Sequence, residues 1–315
     1  MQPSRLGTGI VIGLAVALAG CGKGAGTGNE AAAASAQGAT PAGKSADQAM
    51  NAKINAYTEG YNKLIGTFGL TETANRYSDE RIAGKSPSDS ISITDGWIDT
   101  ALAKLKEARR LPGDAGALDR AADALIASLD KVMARLGPLN TYYDSKAYKD
   151  DGLKRGKAED AAMAGEFRAA LAEAERFDAA LTAARRARLD GELQRLQASG
   201  DTLGYNTKVE LRDAEDLLAI FSNPQAVRDA ASYVRGDQLV ASLEKRLGEQ
   251  RAAYAAAKAK AAPTDQPDYG HSAVVDNLTS LIGDYRDMRQ SKDPGDLNDV
   301  IEEYNRAIES ANGID

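Results

Sequence analysis

The chain has 315 residues, 43% of them hydrophobic, a formal net charge of -7 at pH 7 and a single Cys. Its Lys and Arg are interspersed with Asp and Glu rather than clustered, which argues against nucleic acid and anionic lipid as partners held by a basic patch and describes a solvated helical surface. One Cys allows no intramolecular disulfide, so packing alone must hold the fold together.

The segment from Met1 to Gly20 has a short polar start with Arg5, then an apolar run from Leu6 to Ala19 broken only by Gly and Thr. A membrane span takes about 20 apolar residues and an export-signal core roughly 7 to 15, so the run fits the second. It ends in Leu18-Ala19-Gly20-Cys21, which resembles the bacterial lipobox. That resemblance implies a signal peptide over residues 1–20, cut between Gly20 and Cys21 by signal peptidase II, and a diacylglyceryl group on the Cys21 thiol. Each buried CH₂ contributes about 0.8 kcal/mol and stable anchoring takes two chains, so the expected product sits on a membrane through its N-terminal lipid. Gly22 stands where an Asp would retain an enterobacterial lipoprotein at the inner membrane. The expected address is therefore the outer membrane, facing the periplasm. Residues 21–46 are dominated by Gly, Ala, Ser and Thr, the composition of a flexible linker.

From Asp47 onward the pattern is helical. Met50, Ile54, Tyr57, Tyr61, Leu64 and Phe68 line one face of a helix that Asp47 is placed to cap. Trp97, Ala101, Leu105 and Ala108 line a second, entered at Thr94-Asp95 and stopped at Pro112-Gly113. A third runs from Leu118 through Leu125, Leu129 and Val132 to Leu136, with Gly137-Pro138 as its stop signal. After an aromatic patch around Tyr142 comes a long run from Leu153 to Ser199 that no Pro interrupts. Unbroken, it would reach on the order of 70 Å at 1.5 Å per residue. Further helical runs cover Val209 to Phe221, Val227 to about Ala261, Val274 to Met288 and Leu297 to Ile308.

No segment keeps a period of two with β-branched enrichment, and Ser90-Ile91-Ser92-Ile93-Thr94 is too short and isolated to build a sheet. The expected fold is all-α: an elongated multi-helix bundle of long antiparallel helices over residues 47–315, preceded by the signal peptide and a disordered tether. Its weakest joint is 262–272, where Pro263 and Pro267 interrupt the pattern.

Three marks stand out: Lys53, Asn55, Tyr57, Tyr61, Asn62 and Leu64 at the opening, then Pro138, Leu139, Tyr142, Tyr143, Tyr148, Asp150 and Asp151, and finally Gly156-Lys157. In these residues the chain resembles the YiiG-like family of bacterial envelope lipoproteins, a domain of unknown function. The resemblance implies an envelope location and no particular chemistry.

The sole His, His271, lies between Asp268-Tyr269-Gly270 and a helix start; with no second His or Cys nearby it reads as a loop histidine rather than a base or metal ligand. Arg235-Gly236-Asp237 matches an integrin-binding tripeptide, a chance order of three common residues within a helix. There is no Gly-rich phosphate loop, dinucleotide fingerprint, nucleophile elbow or metal spacing, so neither cofactor nor metal is expected. The most distinctive internal segment holds Tyr142, Tyr143, Asp144, Tyr148, Asp150 and Asp151. It reads either as a packed corner ahead of the long helix or as a recognition surface of flat rings and carboxylate acceptors. The expected function is a non-enzymatic binding or structural module, its partner an unidentified envelope protein. A small-ligand-binding lipoprotein using that patch is the alternative. A peptidoglycan-acting enzyme with paired carboxylates about 5 to 9.5 Å apart comes third.

Overall fold

The computed structural model describes residues 41–264 and 266–314, with side chains from residue 47 onward. The expected signal segment, Gly20, Cys21 and the linker as far as residue 40 lie outside them. The described chain is all-α. Its helices are α1 Pro41–Ile65, α2 Leu70–Glu80, α3 Ile98–Arg110, α4 Ala117–Asp144, α5 Lys154–Ser199, α6 Thr202–Ile220, α7 Pro224–Arg228, α8 Ala230–Lys260, α9 Gly270–Ser291 and α10 Leu297–Asn312. No described helix is long and apolar enough to cross a membrane.

Several boundaries differ from those read in the sequence, each for a physical reason. Residues 41–46 are already helical, so Asp47 lies inside α1 and does not cap it. α2 escapes notice in the sequence because its buried face is only Leu70, Thr73 and Tyr77, too sparse to register as a period. Gly137-Pro138 does not stop α4, which continues to Asp144 with Pro138 inside it. An interior proline costs about 3 kcal/mol, while burial of a large apolar side chain returns about 1.5 to 3, and Leu139, Tyr142 and Tyr143 are all buried beyond it. α6 starts at Thr202, where the Asp201 carboxylate accepts the Gly204 N–H at 2.8 Å.

The chain divides between Arg186 and Ala187 into two compact units. In the N-terminal unit α1 and α3 run antiparallel: Lys53 reaches Gly113 at one end, Lys104 meets Glu59 midway, and Lys63 lies over Trp97 at the other. α4 returns along α3, with Arg109 on Asp123 and Lys106 on Asp130. The core between them holds Tyr57, Leu64, Leu105, Leu125 and Leu129, closed by Phe177 of α5 edge-on to Tyr57 at 5.6 Å. Ile91 and Ile93 reach this core from an extended segment whose Ser92 stays exposed, so the alternation there buries two side chains without making a sheet. Phe68 and Trp97, both expected on buried faces, are instead 44% and 43% exposed.

In the C-terminal unit α6 and α8 are antiparallel: Asn206 bonds Gln250 at one end, and the Phe221 and Tyr233 rings lie 5.0 Å apart at the other. α9 packs along α8 and α10 folds back on α9, with Asn277 donating to Ser310 at 3.1 Å. The stretch 262–272 is the α8–α9 connection inside this unit. A division that falls within α5 leaves no break in periodicity to read.

Candidate functional site

The Tyr142 to Asp151 patch is a corner. α4 ends at Asp144, Lys146 takes a left-handed conformation, residues 147–149 form one 3-10 turn, and α5 begins at Lys154. The three tyrosines meet there: Tyr142 and Tyr143 are 5.0 Å apart between ring centroids, and Tyr148 lies 6.3 and 6.1 Å from them. All three are buried. Tyr142 donates to Asp151 at 2.8 Å and Tyr148 to the Asp89 carbonyl at 3.2 Å. Asp151 also accepts the Arg155 N–H at 3.1 Å, tying the corner to the first turn of α5. Partial burial would raise the Asp151 carboxyl, but the bonds from Tyr142 and from the Arg155, Leu153 and Lys154 N–H groups outweigh it and hold it below the usual range. Burial, with Asp151 second, pushes the Tyr142 hydroxyl up to about 12. Tyr143 leaves its hydroxyl without a partner, and a Cβ built on Gly156 would come within 2.5 Å of that oxygen. Gly156 is therefore where α5 passes the tyrosine. Of the six residues singled out in this segment only Asp144 and Asp150 are exposed, and Ser145, Lys146 and Lys149 are exposed beside them. The corner thus presents carboxylates and lysines but no aromatic face.

An open groove of about 320 Å³ lies beside it, between α4 and the start of α5. Lys131, Arg135, Pro138 and Leu139 line it from α4, and Arg155 and Glu159 from α5. Arg135 bonds Glu166 at 2.9 Å and also Glu159, so both carboxylates on this groove are held by one guanidinium. Arg155 lies over the Tyr142 ring at 5.3 Å, linking groove and corner.

The opening residues of the resemblance form a buried node in the same unit. Lys53, 1% exposed, donates to Asp119 at 2.9 Å and to the Gly113 carbonyl at 2.7 Å. Tyr57 donates to the other Asp119 oxygen at 2.7 Å, and Tyr61, one turn on, packs its ring on Phe177 at 5.4 Å. Burial alone would raise the Asp119 carboxyl, but the bonds from Tyr57, Lys53 and the Ala115 N–H hold it low. Sequence reasoning missed the Lys53–Asp119 pair, whose one local trace is the spacing of four between Lys53 and Tyr57.

The C-terminal unit carries a second polar cluster. His271 is buried at the start of α9, its Nδ1 2.9 Å from the Thr207 hydroxyl. Gln250 donates to that hydroxyl and to the Leu203 carbonyl, both at 3.0 Å. Burial lowers the His271 pKa against Asp201 and Asp268, so the ring stays neutral. One turn along α6, Glu210 is fully buried with neither carboxylate oxygen hydrogen-bonded. Asp237 of the Arg-Gly-Asp tripeptide bonds Tyr285 at 2.9 Å and Arg289 at 2.7 Å, linking α8 to α9 at a half-exposed position. Among the described residues no group of three or more His, Cys, Asp or Glu is placed to hold a metal ion.

The chain belongs to a family of unknown function: the family model described as "Protein of unknown function (DUF3829)" matches residues 48–312. No curated protein and no solved structure matches it.

Proposed function

We propose that the protein is a lipid-anchored component of the bacterial cell envelope, facing the periplasm, whose helical domain serves as a binding or structural module rather than an enzyme. The observation that carries this reading is Leu18-Ala19-Gly20-Cys21 at the end of an apolar run, with the chain's single Cys at the cleavage position. The finer likeness is to the YiiG-like envelope lipoproteins. In support, the residues behind that likeness act on the fold: Lys53 and Tyr57 tie α1 to Asp119, and Tyr142 ties α4 to the entry of α5 through Asp151. A signature of that kind marks an architecture rather than a reaction.

Feeding cells an alkyne fatty acid and tagging the extracted protein tests the anchor. The parent chain should carry the label and Cys21→Ala should lose both label and membrane association; a parent chain without label sinks the reading.

A second reading, binding of a small ligand at the corner, is favoured by the groove beside it, where Arg155 covers the face of Tyr142. Photo-crosslinkers placed at Lys131 and Lys157 in intact cells separate the two. A protein adduct supports the module, and a small-molecule mass shift supports the ligand site.

A further inference from the structure

Five described residues other than Gly have a positive φ: Phe68, Arg81, Lys146, Leu153 and Lys292. Arg81, Lys146 and Lys292 fall at or just past helix ends, where a left-handed residue ends the helix, and Leu153 is fully buried, so its strain comes with packing. Phe68 has neither compensation. With φ at 60° it is left-handed between α1 and α2, and it is 44% exposed.

Its neighbours keep it there. The Phe68 N–H donates to Glu72 at 2.7 Å, and its carbonyl accepts the Trp97 N–H at 2.9 Å. Gly96, also at positive φ, lies so close that a Cβ would come 2.2 Å from that same carbonyl oxygen. The α1–α2 turn and the entry to α3 are thereby locked together, and each displays an exposed aromatic ring. Lys63 sets its ammonium 3.5 Å from the Trp97 ring centre, and Arg76, paired with Glu72, lies 5.3 Å from that of Phe68.

We propose that Phe68 and Trp97 are a pair of anchors that insert into the interface of a lipid bilayer. Aromatic rings beside Lys and Arg stems, apolar at the tip and wet at the base, are the composition that seats at the headgroup level. One face of each ring is already taken by a cation, which suits insertion by the edge better than stacking on a sugar ring. Two side chains are too small a patch for a specific protein interface, which buries about 1,200 Å² or more. They suffice where the bilayer is already at high effective concentration. Here the inference rests on the lipid anchor proposed at Cys21. Arg76 is paired with Glu72 and Lys63 is turned onto the Trp97 ring, so the contact is driven by the rings more than by anionic lipid.

Trp97 is the only Trp in the chain, so intrinsic emission reports this site alone. The native protein, purified from membranes, is reconstituted in phosphatidylcholine vesicles with plain or brominated acyl chains. Trp97 emission should shift to the blue and be quenched severalfold by the brominated lipid, independently of added salt. Phe68→Gly, which suits the left-handed position, should keep its circular dichroism and lose most of the quenching. Unquenched Trp97 overturns the proposal, as does equal quenching in Phe68→Gly or a shift produced by soluble peptidoglycan fragments and not by vesicles. The mass of the N-terminal peptide is read from the same sample. A chain without lipid on Cys21 defeats the anchor reading, whereas a lipidated chain with unquenched Trp97 defeats this one alone.

Discussion

The Tyr57 hydroxyl donates 2.7 Å to Asp119, sharing with Lys53 a carboxylate that lies 62 positions along the chain. Three donors converge on that one group, two from α1 and the third the Ala115 N–H at 3.0 Å. The node joins the first helix to the start of α4 at one end of the apolar core.

Asp119→Ala should therefore destabilise the N-terminal unit by about 3 to 5 kcal/mol, because it leaves the Lys53 ammonium buried without its counter-charge. Lys53→Met combined with Asp119→Leu should recover much of that loss in urea melts. A double variant as unstable as Asp119→Ala would mean that the pair does more than cancel its own desolvation. The Asp119 pKa is lower folded than unfolded. Its contribution is thus present above the ordinary carboxylate range and lost as pH falls through the folded value, so the node weakens in acid.

Glu210 has the opposite sign. Burial, opposed by Arg246, reinforced by Asp213 and opposed again by Arg251, pushes its carboxyl from the ordinary 4.5 up to about 8. The folded chain keeps a proton that the unfolded chain releases, so stability falls as pH rises between those two values. Glu210→Gln removes that slope. The variant should be more stable than the parent by a few kcal/mol, on the order of 1.4 per pKa unit, at pH 8 and indistinguishable from it near pH 4. Thermal melts at the two pH values decide; parallel profiles would show that the carboxylate finds partners on ionising.

Gly156→Ala should cost about 1 to 3 kcal/mol by driving a methyl against the Tyr143 hydroxyl. Tyr143→Phe removes that oxygen, which has no partner to lose, and should be close to neutral alone while relieving part of the alanine penalty. Additive losses in a double-mutant cycle would place the clash elsewhere.

Phe68 and Leu153 share a left-handed backbone and differ in what surrounds the side chain. Phe68→Gly should stay within about 1 kcal/mol of the parent, since relief of strain offsets the extra chain entropy of glycine. Leu153→Gly should lose about 2 kcal/mol or more, because its side chain is fully buried. Similar losses at both sites would mean that Phe68 is a packing residue.

The helices were legible because burial repeats every three or four residues: Ile54, Tyr57, Tyr61 and Leu64 are buried as their spacing implies. The same spacing carried on to Phe68 and back to Trp97, where it misled, since a period shows which side of a helix a residue would take and not where the helix ends. At the tyrosine corner the sequence showed an unusual segment and left its role open. Burial of all three rings, and the short reach from Tyr143 to Gly156, required coordinates because they depend on how closely α4 and α5 approach.

The sequence by itself determined an all-α chain, with most of its helical runs and a long one from Leu153 to Ser199, because helix periodicity and capping are local properties of the chain. Only the tertiary structure decided that α4 passes through Pro138, that the chain divides inside a helix, that Lys53 finds Asp119 and that Phe68 and Trp97 face water. Those outcomes weigh a local preference against burial and partners supplied by residues far away in sequence, a balance that exists only once the helices have met.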